Sequence, residues 1–369
     1  KEKKMKSYPL KSLTLAEAQE MQFRLIDEIT KVFPGNEILT RGDLGVVKGL
    51  NQPVYTRKVE KVIANFFNTD EALLVRGSGT NAIRLALHVG VNRKKKILIH
   101  DAPIYPTTNV SFEMLGITYE KVDFNDLAAV KDKIKDEEIT SALVQVTRQL
   151  PSDSYEAETV IKTIKELRSD IFVITDDNYS VFKTEKIGVQ YGADISCFST
   201  FKLLGPEGIG CVVGISEALQ SLKKENYSGG GQVQGHEALD VLKGMIYVPV
   251  SQAISAKVGE EVCESLNQGA LEAVKEASIV NAQSRVLIVE LKEPIAEAVI
   301  EEATKLGALP YPVGAESQYE FCPLFYRVSG TFRNADPTAE KRLIRINPNR
   351  SGAKTIIRIL KESIEKVKE

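Results

Sequence analysis

The chain of 369 residues lacks the features that mark membrane, secreted and nucleic-acid-binding proteins. No apolar run approaches the roughly 20 residues that a membrane span needs. The basic N-terminal segment is not followed by an apolar stretch, so it does not resemble a signal peptide. The formal net charge is only −2, which argues against a nucleic-acid-binding surface. We therefore expect a cytoplasmic globular protein with about two domains.

Cysteine and histidine are scarce, with four and three residues respectively. The cysteines (Cys197, Cys211, Cys263 and Cys322) show no CxxC spacing, and no histidine lies near a cysteine pair. This pattern argues against a structural zinc site, and we predict no metal. Cys197 and Cys211 lie in apolar strand patterns, where we expect reduced core residues.

What the sequence does contain is a regular alternation of strand and helix patterns. Strand-like runs occur at 72–75, 96–100, 117–122, 140–146, 171–175 and 194–199. The helical stretches between them lie at 80–90, 107–115, 125–134, 156–168 and 184–191. Strands that are apolar throughout and alternate with helices predict an α/β fold, with a mostly parallel sheet covered by helices on both faces.

The pattern changes towards the C-terminus and predicts a smaller α+β domain there. We divide the chain into an N-terminal helix and arm (1–56), a large domain (57–260) and a small C-terminal domain (261–369). The helical pattern of the third quarter of the chain extends to residue 283. It is followed by a strand at 285–291, a helix at 294–306, strands near 322–328 and 342–346, and a last helix from 352.

The first strand of the large domain ends in a glycine-rich loop that opens into a helix. In such sheets ligands bind at the carboxyl ends of the strands. Backbone amides of the loop and the dipole of the helix favour an anion, so Ser78, Gly79 and Thr80 are candidate phosphate ligands; a plain strand–helix turn is the alternative. The same segment fits Gly-x-Gly-x-x-Ala, with Asp101 after the next strand. A Rossmann-type, NAD-dependent dehydrogenase therefore stays open.

Three other strand ends carry side chains that suit a planar cofactor. Tyr105, between two prolines, could lie against an aromatic ring. Asp176 and Asp177 end a buried strand, where a carboxylate is costly unless it is paired, for example with a protonated ring nitrogen. Lys202 lies in a turn between two strand patterns and could act as an amine. Pyridoxal phosphate needs a lysine, a carboxylate, a stacking partner and phosphate ligands, and the dehydrogenase alternative does not require Asp176 or Lys202.

The segment from about 55 to 277 resembles the fold-type-I pyridoxal-phosphate enzymes, both the class-V aminotransferases and the lyases of Cys/Met metabolism. Val-Ile-Thr-Asp-Asp-Asn-Tyr (173–179) is similar to the family strand that ends in Asp-x-x-Tyr. Ser-Thr-Phe-Lys (199–202) is similar to the family's Ser-x-x-Lys. The resemblance implies a PLP-transferase-like fold and Asp176 as the ring-nitrogen partner, with Asp177 as the alternative. It implies Lys202 as the Schiff-base lysine. It also implies further cofactor contacts from Ser78, Gly79, Thr80, Tyr105, Tyr179 and Ser199.

Two further segments resemble parts of the same family. Tyr55-Thr56-Arg57 resembles the Tyr-x-Arg segment with which the lyases reach the cofactor phosphate of a neighbouring subunit. It implies cofactor contacts from Tyr55 and Arg57 and a homodimer or homotetramer with shared sites. Leu-Ile-Arg-Ile-Asn-Pro (343–348) resembles the strand whose arginine binds the substrate carboxylate. It implies Arg345 for that role, with Arg350 as the second choice.

The chain also departs from both subfamilies, and this leaves the reaction open. Class-I aminotransferases have an arginine eight positions after the lysine, whereas this chain has Gly210. Phe201 precedes the lysine, where the lyases usually have threonine. We expect a pyridoxal 5'-phosphate enzyme that acts on a small-molecule amino acid, with transamination as the first choice and β- or γ-elimination of a sulfur amino acid as the alternative. A non-catalytic cofactor-binding protein would not need Asp176.

Overall fold

The computed structural model describes residues 7–282, 284–314 and 316–369, and these form two compact units. The larger unit comprises Ala16–Thr147 and Ser154–Pro249. The smaller unit comprises Val250–Glu369, Arg148–Asp153 and the N-terminal stretch that ends at Leu15. These units have different bounds from the three segments 1–56, 57–260 and 261–369, which stay a prediction from the sequence pattern.

The larger unit is built on a seven-stranded sheet with the order β1-β7-β6-β5-β4-β2-β3. Strands β6, β5, β4, β2 and β3 are parallel, whereas β7 is antiparallel to both of its neighbours. The predicted mostly parallel sheet is therefore confirmed. The strands are β1 Glu71–Arg76, β2 Lys96–His100, β3 Thr118–Val122, β4 Ile139–Gln145, β5 Phe172–Asp176, β6 Ile195–Ser199 and β7 Ile209–Gly214.

Helices cover both faces of this sheet, which explains why its inner strands are largely buried, whereas the edge strand β3 is polar and mostly exposed. Helix α3 packs on one face against β2, β6 and β7, while α5 and α6 pack on the other face against β4 and β5. Cys197 and Cys211 are buried with free thiols, as predicted, and burial raises the pKa of both well above the usual value. The helices are α1 Leu15–Val32, α2 Val54–Phe66, α3 Ser78–Gly90, α4 Pro106–Leu115, α5 Leu127–Lys133, α6 Ala157–Leu167, α7 Ser216–Glu225 and α8 Gly235–Asn267.

The helix predicted at 184–191 is wrong, because only a short 3-10 turn forms at Gly188–Tyr191. The backbone nitrogen of Gly188 donates a hydrogen bond to Asp177 Oδ1 (2.8 Å). A Cβ on Gly188 would lie 1.9 Å from Thr175 Oγ1, so the backbone of this segment packs directly against the end of β5. This contact takes the place of helical hydrogen bonding.

The smaller unit contains an antiparallel sheet with the order β10-β11-β9-β8, packed against helices. Its strands are β8 Val274–Ala282, β9 Ser284–Leu291, β10 Leu324–Arg327 and β11 Leu343–Asn347, and its helices after α8 are α9 Ala296–Lys305, α10 Gly330–Ala335 and α11 Ala353–Lys368. The prediction of helix as far as 283 is wrong. Helix α8 ends at Asn267, Gly269 follows with a φ of 92°, and β8 then pairs with β9. Val274, Ala277 and Val280 of β8 are buried, and its pairing with β9 changes register between Val274 and Glu276.

No helix of the described ranges is long and apolar enough to cross a membrane. Within the same ranges no three His, Cys, Asp or Glu side chains are grouped to hold a metal ion.

Candidate active site

Asp176 lies at the carboxyl end of β5 with a side chain that is about nine-tenths buried, at 9% exposure. Its Oδ1 accepts hydrogen bonds from the backbone nitrogen of Asn178 (3.0 Å) and from Asn178 Nδ2 (2.8 Å). Its Oδ2 has no hydrogen-bond partner among the residues that the structure describes. Burial raises the pKa of Asp176, while the two hydrogen bonds and the charge of Lys202 act in the opposite direction. The carboxylate is thus held by one oxygen and keeps the other open.

Asp177, the alternative ring-nitrogen partner, is engaged by its own chain through both oxygens. It is fully buried, and its Oδ1 accepts a hydrogen bond from the backbone of Gly188 (2.8 Å). Its Oδ2 accepts one from Thr175 Oγ1 (2.5 Å). Burial raises the pKa of this carboxyl from 3.8 to about 6. The geometry therefore favours Asp176 over Asp177 as the residue that meets a ligand.

Lys202 lies in the short turn between β6 and β7, next to three of the other predicted site residues. Its Nζ is 4.0 Å from the ring centroid of Tyr179. The positive charge of Lys202 acts to lower the pKa of Asp176 and of the Tyr105 hydroxyl. Four residues predicted from three strand ends are therefore neighbours in the folded unit. A half-buried lysine beside an aromatic ring and a carboxylate differs from the solvated turn lysine that its local sequence alone favours.

Tyr105 caps the start of α4, with Pro106 as the first helical residue. Its side chain is partly buried, and this burial raises the pKa of its hydroxyl, as does the nearby Tyr179. The phenol therefore stays neutral at physiological pH. It can offer a ring face and a hydrogen-bond donor to the space beside Lys202.

The glycine-rich loop lies at the start of α3, and its backbone is strained. Gly77 and Ser78 have φ angles of 93° and 57°, and their backbone nitrogens both donate to the carbonyl of Gly208 (2.7 and 3.1 Å). A positive φ at a serine costs free energy, and such strain concentrates at functional sites. A Cβ on Gly79 would lie 2.7 Å from Asn178 Oδ1 and 3.1 Å from the backbone nitrogen of Ser199. Only glycine allows this approach between the α3 N-terminus and the ends of β5 and β6.

Asn178 is a residue of this site to which the sequence analysis assigned no role. Its Oδ1 accepts a hydrogen bond from the backbone nitrogen of Ser199 (2.9 Å), while its Nδ2 donates to Asp176. The Asp-x-Asn pattern at a strand end could have indicated the local turn, because Asp and Asn side chains commonly bond to the backbone two residues away. The contact with Ser199 depends on the strand order and has no local signal.

The arm residues Tyr55 and Arg57 do not reach the site of their own chain. Both lie in α2, and Arg57 forms a bidentate ion pair with Glu71 (2.8 and 3.2 Å) at the start of β1, whereas the glycine-rich loop follows its end. Tyr55 stacks on Phe33, with ring centroids 6.2 Å apart. Their predicted contact with the cofactor of a neighbouring subunit stays a prediction.

Another arginine of the arm is exposed to solvent. Arg41 lies between Leu39 and Leu44, whose side chains are 82% and 76% exposed. The backbone nearby is held in place, because Asp43 accepts hydrogen bonds from the backbone nitrogens of Val54 (2.7 Å) and Tyr55 (3.1 Å). An anchored segment thus presents one cation and two large apolar side chains to solvent, which the sequence analysis did not single out.

In the smaller unit, the two candidate carboxylate ligands have different environments. Arg350 donates hydrogen bonds to the carbonyls of Glu320 (3.1 Å) and Glu316 (3.3 Å), and burial lowers the pKa of its guanidinium. Arg345 lies on β11 and uses Nε to bond Asn347 Oδ1 (3.2 Å). Its Nη groups have no hydrogen-bond partner within the described part of the chain. Arg345 therefore remains the better candidate for a bidentate contact.

The dehydrogenase alternative does not agree with the sheet topology. A dinucleotide-binding loop follows a central parallel strand of the sheet. Here the loop that begins at Gly77 follows β1, which lies at the edge of the sheet and is antiparallel to its neighbour β7. The Gly-x-Gly-x-x-Ala match is therefore not part of a Rossmann unit.

Comparisons with known proteins agree with this architecture. The sequence model for class-V aminotransferases matches residues 52–241, and that for the YhfS-like C-terminal domain matches residues 260–360. The chain is 52% identical to the uncharacterized protein YhfS of Escherichia coli strain K12, over 98% of this chain and all of the other. The crystal structure of the pyridoxal-5'-phosphate-dependent protein YhfS from Escherichia coli matches 98% of this chain and 100% of its own chain, with a TM-score of 0.96.

More distant structures share the fold at lower sequence identity. A carbon–sulfur lyase involved in aluminium resistance from Clostridium novyi is 16% identical, with a TM-score of 0.71 over 96% of this chain and 91% of the other. Cystathionine γ-synthase from Xanthomonas oryzae is 14% identical, with a TM-score of 0.65 over 89% of this chain and 92% of the other. At these identities the likeness shows the fold.

Proposed function

We propose that this chain is a pyridoxal-phosphate-dependent enzyme that acts on an amino acid through Lys202. The proposal starts from its family: the chain belongs to the YhfS-like, class-V aminotransferase-related family of fold-type-I pyridoxal-phosphate enzymes. One observation carries the proposal. The amine of Lys202 lies beside the ring of Tyr179, and its charge acts to lower the pKa of Asp176. Oδ2 of Asp176 accepts no hydrogen bond from the described residues.

The residues of the site fit this cofactor. A carboxylate oxygen that is largely buried and lacks a partner is costly, and a protonated ring nitrogen would satisfy it. A helix leaves the amides of its first turn without intrahelical partners, so those of Gly79 and Thr80 at the start of α3 are available for a phosphate, with the helix dipole in the favourable direction. When bound, pyridoxal phosphate supplies an aldehyde that combines with amines and a ring that withdraws electrons from the substrate.

The side chains then have distinct tasks. Lys202 would hold the cofactor and would move the proton of the substrate α-carbon as general base and acid. Asp176 would accept a hydrogen bond from the ring nitrogen. Tyr105 would pack against the ring, and Tyr179 would offer its hydroxyl to the ring oxygen. Ser78, Gly79, Thr80 and Ser199 would bind the phosphate, and Arg345 would bind the substrate carboxylate.

Of the two reactions that the sequence leaves open, we propose elimination at a carbon–sulfur bond first, by analogy with the carbon–sulfur lyase whose fold the chain shares. The likeness to a carbon–sulfur lyase and to cystathionine γ-synthase extends over both units, whereas the class-V model matches only residues 52–241. The chain also has Gly210 where class-I aminotransferases have arginine. A Cβ at that position would lie 2.2 Å from the carbonyl of Ser78. Transamination is the second candidate, favoured by the match to class-V aminotransferases.

Product analysis separates the two reactions. The purified holoprotein is incubated with cystathionine, cysteine, homocysteine and a set of other amino acids, with and without a 2-oxo acid. Elimination gives a 2-oxo acid, ammonia and a thiol (from cystathionine) or hydrogen sulfide (from cysteine or homocysteine) without any acceptor, whereas transamination gives a new amino acid only when the 2-oxo acid is present. Lys202→Ala is the control and should give neither. Amino transfer without ammonia release would contradict elimination.

We also propose a homodimer, or a multiple of one, in which the arm of one subunit completes the site of the next. The exposed side chains of Leu39 and Leu44 supply apolar contact area, and Arg41 supplies a cation for the cofactor phosphate. Arg41→Ala should weaken cofactor retention, and light scattering of the wild-type protein should give at least twice the chain mass. Arg57→Ala tests the contact predicted from the sequence and should also weaken cofactor retention if Arg57 exchanges Glu71 for that phosphate. Arg93→Ala removes an exposed arginine before β2 that has no predicted role in the site; it is the matched control and should leave cofactor retention unchanged.

A further inference from the structure

The carboxamide of Asn178 connects three chain segments at the candidate cofactor site. Its Nδ2 donates to Asp176 Oδ1 (2.8 Å), and its Oδ1 accepts a hydrogen bond from the backbone nitrogen of Ser199 (2.9 Å). Its Oδ1 and Nδ2 also lie 2.7 and 2.9 Å from the position that a Cβ on Gly79 would occupy. One side chain thus touches the end of β5, the end of β6 and the first turn of α3.

The same turn occurs a second time in the larger unit, away from Lys202. After β3, Asp123 Oδ1 accepts hydrogen bonds from the backbone nitrogen of Asn125 (2.9 Å) and from Asn125 Nδ2 (2.8 Å). Asn125 Oδ1 then accepts hydrogen bonds from the backbone nitrogens of Ser154 (2.8 Å) and Tyr155 (3.0 Å). Because β3 is the edge strand, β2 and β4 separate this turn from the one after β5. The turn after β3 therefore serves as an internal control for the effect of the Asn side chain on the turn itself.

We infer that Asn178 is a positioning residue of the cofactor site: its amide group orients the Asp176 carboxylate so that Oδ2 faces the ligand, and its carbonyl oxygen fixes Ser199 next to the phosphate-binding loop. The inference rests on the proposed cofactor function. In this role Asn178 sets the distance between the ring-nitrogen partner and the phosphate ligands. That distance must match the fixed separation of the ring nitrogen and the phosphate in the cofactor.

Removal of this side chain has consequences at both contacts. Without the Nδ2 donor, Asp176 Oδ1 loses one of its two hydrogen bonds, and the carboxylate can rotate or take up a proton. Without the Oδ1 acceptor, the backbone nitrogen of Ser199 loses its hydrogen bond to this side chain, which is unfavourable in a largely buried position. Gly79 also loses a packing partner, so the loop that holds the phosphate is less restricted.

Three variants separate the positioning role from a structural one. Asn178→Ala removes both contacts. Asn178→Asp keeps the shape of the side chain and an acceptor for Ser199, so it should fold if the alanine variant does not. When ionised it cannot donate to Asp176 and repels it, so cofactor binding should weaken most at high pH. Asn125→Ala removes the equivalent side chain of the turn after β3. For each variant we would measure the dissociation constant of pyridoxal phosphate, the pH midpoint of the visible absorption of the bound cofactor, and the melting temperature.

Loss of the one side-chain hydrogen bond to the charged Asp176 predicts that Asn178→Ala and Asn178→Asp weaken cofactor binding about 10- to 100-fold and shift the pH midpoint of the visible band. Asn125→Ala should lower the melting temperature and leave both cofactor readouts at wild-type values. The inference is overturned if Asn178→Asp matches the wild type in both readouts, or if all three variants change only the melting temperature. A wild-type protein without cofactor binding or a visible band would instead contradict the proposed function itself.

Discussion

Two strands of the larger sheet end in the same Asp-x-Asn turn, with different consequences. In the turn after β5, Asp176 is largely buried and lies within the electrostatic influence of Lys202. In the turn after β3, the Asp123 side chain is 53% exposed, and its Oδ1 lies 3.9 Å from Nδ1 of His100. The hydrogen bonds within the turns agree to within 0.1 Å. The local sequence sets the turn, and the position of the strand in the sheet decides what the aspartate can do.

The middle residues of the two turns show the same contrast. Asp177 is buried among polar partners and holds the Gly188 backbone, whereas Phe124 is buried among aromatic rings. The Phe124 ring lies 5.4 Å from that of His100 and 5.6 Å from that of Tyr155. One turn is thus surrounded by hydrogen-bonding groups that a functional site can use, and the other is fixed by ordinary core packing. The predictions below test this difference.

The largest expected effect comes from the two aspartates. Asp176→Asn removes the charge that would hold the ring nitrogen protonated, and loss of such an electrostatic contact should lower kcat/KM by about 10³-fold, equivalent to about 4 kcal/mol. Asp123→Asn should leave kcat/KM within about twofold of the wild type, because a surface substitution away from the site has little effect. Steady-state kinetics on the substrate identified by product analysis measures both. Similar losses in the two variants would contradict the contrast.

The next effect is on stability alone. Phe124→Ala empties a packed aromatic site and should lower the free energy of unfolding by about 3–5 kcal/mol. The visible absorption of the bound cofactor should not change, because this turn lies at the far edge of the sheet from β5 and β6. Urea unfolding and an absorption spectrum of the folded variant provide the two readouts. A shifted spectrum would mean that the outer turn also shapes the cofactor site.

A smaller, pH-dependent effect is expected at Asp177. Its pKa is raised from 3.8 to about 6 by burial, so between these pH values the folded protein holds a proton that the unfolded chain releases. This group therefore lowers the free energy of unfolding as the pH rises from 4 to 6, and the loss persists at higher pH. Between pH 4 and pH 7, the free energy of unfolding of Asp177→Asn should therefore rise by roughly 1–3 kcal/mol relative to that of the wild type.

Urea unfolding at the two pH values measures this change, with Asp123→Asn as the exposed control. The control should show a much smaller pH-dependent difference from the wild type. If Asp177→Asn shows no pH-dependent difference, Asp177 is not a carboxyl whose pKa is raised by burial. Its hydrogen bonds to Thr175 and Gly188 would then account for its contribution by themselves.

The sequence predicts the parts of the site that depend on local pattern. Asp176 directly follows the apolar run 171–175, and Lys202 lies in the turn after the run 194–199, so the rule that ligands bind at strand ends was enough to group them. The hydrogen bond from Ser199 to Asn178 joins residues 21 positions apart and exists only because β5 and β6 are neighbours. The pairing of Arg57 with Glu71 likewise depends on how α2 packs beside β1.

The errors in secondary structure have the same origin. Residues 274–282 contain Glu, Ala and Lys, which favour a helix in isolation, but pairing with β9 stabilises a strand. The segment 184–191 has a helical pattern, but the contacts of Gly188 with Thr175 and Asp177 limit it to a single turn. In both cases tertiary contacts outweigh local propensity.

The central claim is that Lys202 binds pyridoxal phosphate covalently, and a reductive trap tests it most directly. The yellow holoprotein is treated with borohydride, digested, and analysed by mass spectrometry. We predict a reduced pyridoxyl-phosphate adduct on Lys202 and none on the neighbouring Lys183, whose amine also lies near the Tyr179 ring, at 5.7 Å. An adduct on a different lysine, or a colourless protein without any adduct, would contradict the account.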